Sequence, residues 1–239
     1  MDDDGTARRE TIRYHEALYN RPDDAAAAGW AARPHGLVVD AVARVSEPVH
    51  AYDLGAGAGR HSVLMAGRLP LGSRVTAVDL LPSGLDRLTE TAARAGVADR
   101  IEVVEADLEN YRFPARDAGI ILAFSVLEHL STDGALTAVL GRCRDATLPG
   151  GIIVTAIFAD RREVTARGSR PAPVECPLSA ERARDALASA CHGWEVLVDR
   201  STPTAVREVR GGEAYDLRAT MVAFVARARR RSPGMPPAP

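Results

Sequence analysis

The chain has 239 residues, 46% hydrophobic and 26% charged, a balance that can bury one α/β core and excludes a disordered or low-complexity chain. Thirty basic against 32 acidic residues leave a formal charge of −2, which argues against a general nucleic-acid or membrane-surface binder. Every basic residue is an arginine, so lysine Schiff-base chemistry, pyridoxal phosphate enzymes and the lysine-bearing phosphate loop are all excluded.

The polar, acidic start MDDDGTARRE is unlike a signal peptide, and no apolar run reaches the roughly 18 residues of a membrane span. Cys143, Cys176 and Cys191 form no CxxC pair, so the expected compartment is the cytoplasm with reduced thiols. Helical spacing runs through ARRETIRYHEALYN up to Asn20 and Pro22, and again through GLVVDAVARV at 36–45, so residues 1–47 read as an N-terminal helical cap. Short apolar runs follow at 49–54, 74–80, 100–106, 118–124 and 151–158, each a predicted strand. Between them RHSVLMAGRL, PSGLDRLTETAARAG and STDGALTAVLGRCRDA have helical spacing; Pro82 suits a helix start, and Ser131 or Thr132 suits an N-cap. Alternating strands and helices with continuously apolar strands predict a doubly wound, mainly parallel sheet.

Residues 160–177 are charged and proline-containing and read as a loop. A helix is predicted over LSAERARDALASACHG with Ser179 as N-cap. Strands at 194–200 and 217–228, joined by a long turn around Gly211 and Gly212, then form a C-terminal antiparallel hairpin and bring the sheet to seven strands. The tail 231–239 reads as disordered, and RARRR at 227–231 as solubility charge.

The informative segment is AYDLGAGAGRHS at 51–62, a strand ending in Asp53, a loop with Gly55, Gly57 and Gly59, and a helix opening near Arg60. Small residues let a ligand approach the backbone, and the helix N-terminus presents unpaired N–H groups. The dinucleotide fingerprint needs G-x-G-x-x-G, whereas this loop reads G-x-G-x-G with an acid two positions before it, which suits a cationic ligand better than a pyrophosphate. Asp79 ends the second strand, where a ribose diol is commonly held, and Asp107 follows the third. Three acids at successive strand ends line the carboxyl edge where open α/β sheets bind ligands.

These motifs resemble those of the class I S-adenosylmethionine-dependent methyltransferases. DLGAGAGRHS is similar to their first motif, VDLLPSGL to the acidic second-strand motif, EADLENYRF to the adenine-contacting segment, SVLEHL to the segment after the fourth strand and LPGGIIVTAIF to the fifth-strand motif. The resemblance covers about 49–158, and GRHS with the C-terminal strand pair is most similar to the small tellurite-resistance-type methyltransferases. It implies a Rossmann-like domain over 48–230 that binds S-adenosyl-L-methionine. Gly55, Ala56, Gly57 and Gly59 are then expected beneath the methionine part and Asp53 at its amino end, directly or through water. Asp79 is expected on the ribose hydroxyls, Leu80 on the adenine, Asp107 and Leu108 at the adenine amino group, and Ser125 beneath the sulfonium. No aspartate stands at Phe124–Ser125, where metal-dependent members place a ligand, so no metal is expected.

Methyl transfer from a sulfonium mainly needs a well-placed nucleophile, with a base only if that nucleophile arrives protonated. His129 with Glu128 is the candidate base; for His129 the alternative is a helix-start residue bonding locally. Tyr14, Tyr19, Trp30 and His35 are candidate acceptor contacts from the cap, or else a hydrophobic docking face. Arg161, Arg162, Arg167 and Arg170 read as a solvated loop, with a clamp on an anionic substrate as the alternative. The expected activity is methyl transfer to a small-molecule oxygen, nitrogen, sulfur or heavier chalcogen, by a monomer or homodimer without nucleic-acid or membrane partners. A non-catalytic cofactor-binding regulator and a nicotinamide-dependent oxidoreductase are the alternatives.

Overall fold

The computed structural model describes residues 4–20, 33–172, 174–210 and 213–230. Trp30, the Gly211-Gly212 pair and the tail 231–239 lie outside them. In chain order the helices are α1 (Asp4–Tyr19), α2 (Gly36–Val42), α3 (Arg60–Arg68), α4 (Pro82–Arg94), α5 (Asp133–Ala146) and α6 (Ala180–Ala190). The strands are β1 (His50–Leu54), β2 (Arg74–Asp79), β3 (Ile101–Glu105), β4 (Ala118–Phe124), β5 (Thr147–Thr165), β6 (Gly168–Pro171), β7 (Glu195–Arg210) and β8 (Glu213–Arg227). No helix among the described residues is long and apolar enough to cross a membrane.

One sheet organises everything else, in the order β3-β2-β1-β4-β5-β8-β7. The first five strands pair in parallel, while β8 runs antiparallel to both β5 and β7. Strands β1 and β4 are buried along their whole length, as their continuous apolar sequences require in a sheet covered on both faces. Alternation sorts their side chains: Ile121 and Ala123 join Leu136, Leu140 and Leu187 on the α5–α6 face, while Ile120, Leu122 and Phe124 join Val38 and Met65 on the α2–α3 face. Helix α2 is therefore part of the layer packed on the sheet, whereas α1 lies across the carboxyl ends of the strands. Thr132 caps α5 by accepting from the Ala135 amide at 3.0 Å, and Ser179 caps α6 by accepting from Arg182 at 3.1 Å.

The sheet departs from the sequence reading in two places. It has eight strands, not seven, because the charged stretch read as a loop extends β5 to Thr165 and turns back as β6. The backbone of Arg162–Val164 is paired on both sides, by β6 and β8, and that pairing overrides its polar composition. A bulge between Ala159 and Arg162, with Asp160 at φ 52°, bends the strand there. Likewise Ser201–Arg210, read as turn, continues β7 in register with β8 as far as the Arg210–Glu213 pair.

Ile121 is fully buried in the central strand, while Leu71 is 89% exposed. Ile121→Ala is expected to cost about 2–5 kcal/mol in urea unfolding and Leu71→Ala under about 0.5 kcal/mol. Equal losses would show that the core does not sit where the sheet places it.

Candidate functional site

The glycine loop leaves the end of β1 and enters α3. The amides of Gly55 and Ala56 both donate to the Val78 carbonyl, at 2.8 and 3.1 Å, so the loop is tied to the second strand. Gly59 is the N-cap of α3 at φ 85°, and a Cβ there would stand 2.5 Å from Cγ of Leu88 on α4. Only glycine meets both demands, the left-handed backbone and the close helix. No side chain caps α3, whose first N–H groups therefore face the groove above the loop.

Asp79 closes the loop from the other side. Its carboxylate accepts from the Gly57 amide at 2.8 Å and from the Leu81 amide at 2.9 Å. Burial pushes its pKa up, against the opposing effect of the Leu81, Gly57 and Leu80 amides. One strand further out, Asp107 accepts from the Glu109 amide at 3.0 Å. At the end of β4, Ser125 holds φ 57°, a strained backbone for a non-glycine residue, and donates from Oγ to Glu128 Oε1 at 3.0 Å. Glu128 is buried, and its second oxygen has no hydrogen-bond partner among the described residues.

Helix α1 roofs this edge with one face. Arg8, Thr11, Ile12, His15 and Tyr19 recur at helical spacing and all border the groove. Arg8 reaches Asp107 Oδ2 at 2.6 Å. The Tyr19 hydroxyl lies 2.4 Å from where a Cβ on Gly57 would stand, and burial with nearby Asp79 pushes its phenol pKa up. Tyr19 thereby divides the groove. On one side Asp79, Leu80, Asp107 and Leu108 line a cavity with His15, His129 and Glu175. On the other, Ala56, Gly57, Gly59 and Arg60 line a second with Phe124. Gly55, Ser125, His15 and Tyr19 border both.

The structure thus gathers nine of the ten expected cofactor contacts around one groove. The tenth, Asp53, lies beneath the loop, where it accepts from Ser62 Oγ at 2.6 Å. Of the expected acceptor contacts, Tyr19 is in the groove. Tyr14 turns away and donates to Glu208 Oε1 at 3.1 Å, anchoring α1 to the β7–β8 hairpin. His35 caps α2 by accepting from the Leu37 amide, with its ring 5.0 Å from that of Phe124. Trp30 lies outside the described residues. Sequence reasoning missed Arg8 and Glu175: Glu175 is 46 residues from its partner His129, and no local pattern announces that pairing.

The floor fits a nucleoside-bearing cation: small residues where a Cβ would collide, uncapped helix amides, and two acids at successive strand ends for hydroxyl and amino donors. The comparisons agree with it. Residues 51–151 match a family described as a methyltransferase domain. A carboxy-S-adenosyl-L-methionine synthase from Chromohalobacter salexigens is 34% identical over 118 residues, 48% of this chain and 43% of that protein. A tRNA1(Val) (adenine(37)-N6)-methyltransferase from Actinobacillus pleuropneumoniae is 27% identical over 78 residues, 33% of each. The chain therefore spans less than half the length of these curated relatives. The 1,6-didemethyltoxoflavin-N1-methyltransferase of Burkholderia thailandensis, solved with 1,6-didemethyltoxoflavin and S-adenosylhomocysteine, superposes with a TM-score of 0.53 at 20% identity, over 93% of this chain and 87% of that one. At that identity the likeness is one of fold.

Asp53 supplies a test of the site's electrostatics. Burial raises its carboxyl to about 6, against the opposing hydrogen bond from Ser62 and the charge of Arg60. A raised carboxyl pKa favours the folded state at acid pH, and that contribution is lost as pH rises through about 6. Asp53→Asn removes the titration. Its melting temperature is expected to gain on the wild type by several degrees between pH 4 and pH 7.5, on the order of 3 kcal/mol at most. Parallel melting curves across that range would refute the buried charge.

Proposed function

We propose that the chain is a class I S-adenosylmethionine-dependent methyltransferase and that it transfers a methyl group to a small-molecule acceptor. The observation that carries the reading is the single groove along the carboxyl ends of β1 to β4, floored by the glycine loop and bounded by Asp79, Asp107 and Ser125. S-adenosylmethionine, when bound, supplies a methyl group already activated on a sulfonium.

The chain's own residues then bind and orient. Gly55, Ala56, Gly57 and Gly59 border the methionine part, with Asp53 behind them setting the loop's charge. Asp79, two of whose acceptor positions are taken by backbone amides, keeps others for the ribose hydroxyls, and Leu80 packs beside the adenine. Asp107 and Leu108 take the adenine amino group, and Ser125 stands below the reacting centre. Arg8 and Tyr19 occupy parts of this groove, so both side chains move aside when the cofactor enters. His129 is the base candidate, with Glu128 holding Ser125.

A small acceptor is favoured because α1 lies over the strand ends beside His129 and leaves only a half-open cavity there. The formal charge of −2 likewise does not favour a polyanion.

Calorimetric titration with S-adenosylmethionine, S-adenosylhomocysteine and NADH tests the reading: the first two bind and the third does not. Binding of NADH alone would overturn it. Asp79→Asn is expected to weaken S-adenosylhomocysteine by at least about tenfold, since each charge-assisted bond is worth roughly 1.5–3 kcal/mol. Wild-type affinity in that variant would remove Asp79 from the ribose. Tyr19→Ala joins the two halves of the groove, and stopped-flow association of S-adenosylhomocysteine should speed up several-fold; an unchanged rate would show that Tyr19 is no obstacle.

A further inference from the structure

We propose that Glu175 is a positioning residue that holds His129 as a general base, and that the acceptor presents a hydroxyl that must lose its proton, such as a phenol. The proposal rests on the methyltransferase reading and deepens it.

His129 closes the short 3-10 turn Leu127–His129 after β4, and Glu175 lies in the segment before α6. His129 Nδ1 is 3.3 Å from Glu175 Oε2, and the Glu175 side chain is only 2% exposed. Burial pushes the Glu175 carboxyl up, but the hydrogen bond from His129, the charge interaction with that ring and the hydrogen bond from Thr11 of α1 outweigh it and hold the group below its ordinary value. An ionised carboxylate against Nδ1 makes that nitrogen the donor and leaves the lone pair on Nε2. Among the described residues Nε2 has no hydrogen-bond partner, and the ring borders the groove beside Ser125 and Val126.

The second imidazole is different. The His15 ring meets that of His129 edge-on at 5.7 Å, and its Nδ1 is bonded to the Thr11 carbonyl at 2.9 Å. Burial and then His129 push its pKa down to about 4, so His15 stays neutral. The other charges facing this pair are Arg161 of β5, which disfavours a charged His15, and Glu175 itself. Of the two rings, His129 is the one hydrogen-bonded to a carboxylate, whereas His15 is bonded to a backbone carbonyl, so the pair offers one base and one neutral wall.

A base at this point selects the acceptor. A thiol with a pKa near ~8.5 already supplies some reactive thiolate at neutral pH, and tertiary amines and thioethers have no proton to lose, whereas a phenol with a pKa near ~10 is a poor nucleophile until deprotonated. In the step, His129 Nε2 takes the hydroxyl proton as the O–CH3 bond forms and the S–CH3 bond breaks. The products are the methyl ether, S-adenosylhomocysteine and an imidazolium paired with Glu175, which releases its proton to water.

The test uses the full chain with labelled S-adenosylmethionine and two probes: catechol, protonated at assay pH, and 4-nitrophenol, largely ionised there. Glu175→Gln should lower kcat on catechol at least tenfold with KM nearly unchanged and little loss on 4-nitrophenol, and Glu175→Asp should recover part of the rate. Nitrogen NMR of His129 should show the Nδ1–H tautomer in the wild type and its loss in Glu175→Leu, which offers no acceptor. Equal losses on both phenols, or an unchanged tautomer, would overturn the role of Glu175. A wild type that binds S-adenosylhomocysteine but methylates neither probe overturns the acceptor class, whereas failure to bind S-adenosylhomocysteine strikes the underlying methyltransferase reading.

Discussion

The grip of the Asp79 carboxylate on the Gly57 and Leu81 amides is the contact on which the rest of the site depends. It joins the loop after β1 to the turn after β2, and with the Val78 carbonyl it leaves the glycine loop almost no freedom. The first turn of α3 is then uncapped and directed over the loop, and the missing side chain at Gly59 lets α4 pack close behind. A carboxylate is well suited to this work because it accepts from several N–H donors and still has acceptor capacity facing the groove.

That arrangement concentrates buried negative charge at one edge of the sheet. Burial raises both Asp53 and Asp79, so each charge opposes folding to some degree and favours a ligand that brings positive charge or hydrogen-bond donors. The strained backbone of Ser125 and the half-satisfied carboxylate of Glu128 sit at the same edge. Local costs gathered at the ends of otherwise regular strands are where binding and chemistry are expected, because the rigid sheet holds them in place. Helix α1 answers part of this charge: Arg8 pairs with Asp107, and the roof it forms encloses His15 and His129.

Much of this was legible because it is local. Strand β4 was read at its true bounds from one apolar run, and Gly55, Gly57 and Gly59 announced the loop through spacing alone. Thr132 and Ser179 capped their helices as their side-chain chemistry suggested. The charged extension of β5 escaped notice because what makes it a strand is pairing with β6 and β8, which its own composition does not encode. The polar stretch Ser201–Arg210 was misjudged for the same reason.

The cap illustrates the division most sharply. Its helix was plain from periodicity, but which face meets the groove is set by docking: Tyr14 went to Glu208 and the hairpin, Tyr19 to the glycine loop, and Arg8, unremarked in the sequence, to Asp107. His129 could be suspected from its place after the fourth strand, yet its partner arrives from a segment beyond β6. The sequence by itself determined the parallel core of the sheet, the loop and the acids at the strand ends, since hydrophobic period, backbone permissiveness and strand termini are properties of neighbouring residues. The tertiary structure alone decided which distant side chains meet above that edge, because those meetings depend on how helices and hairpins pack, and packing couples residues that no local pattern links.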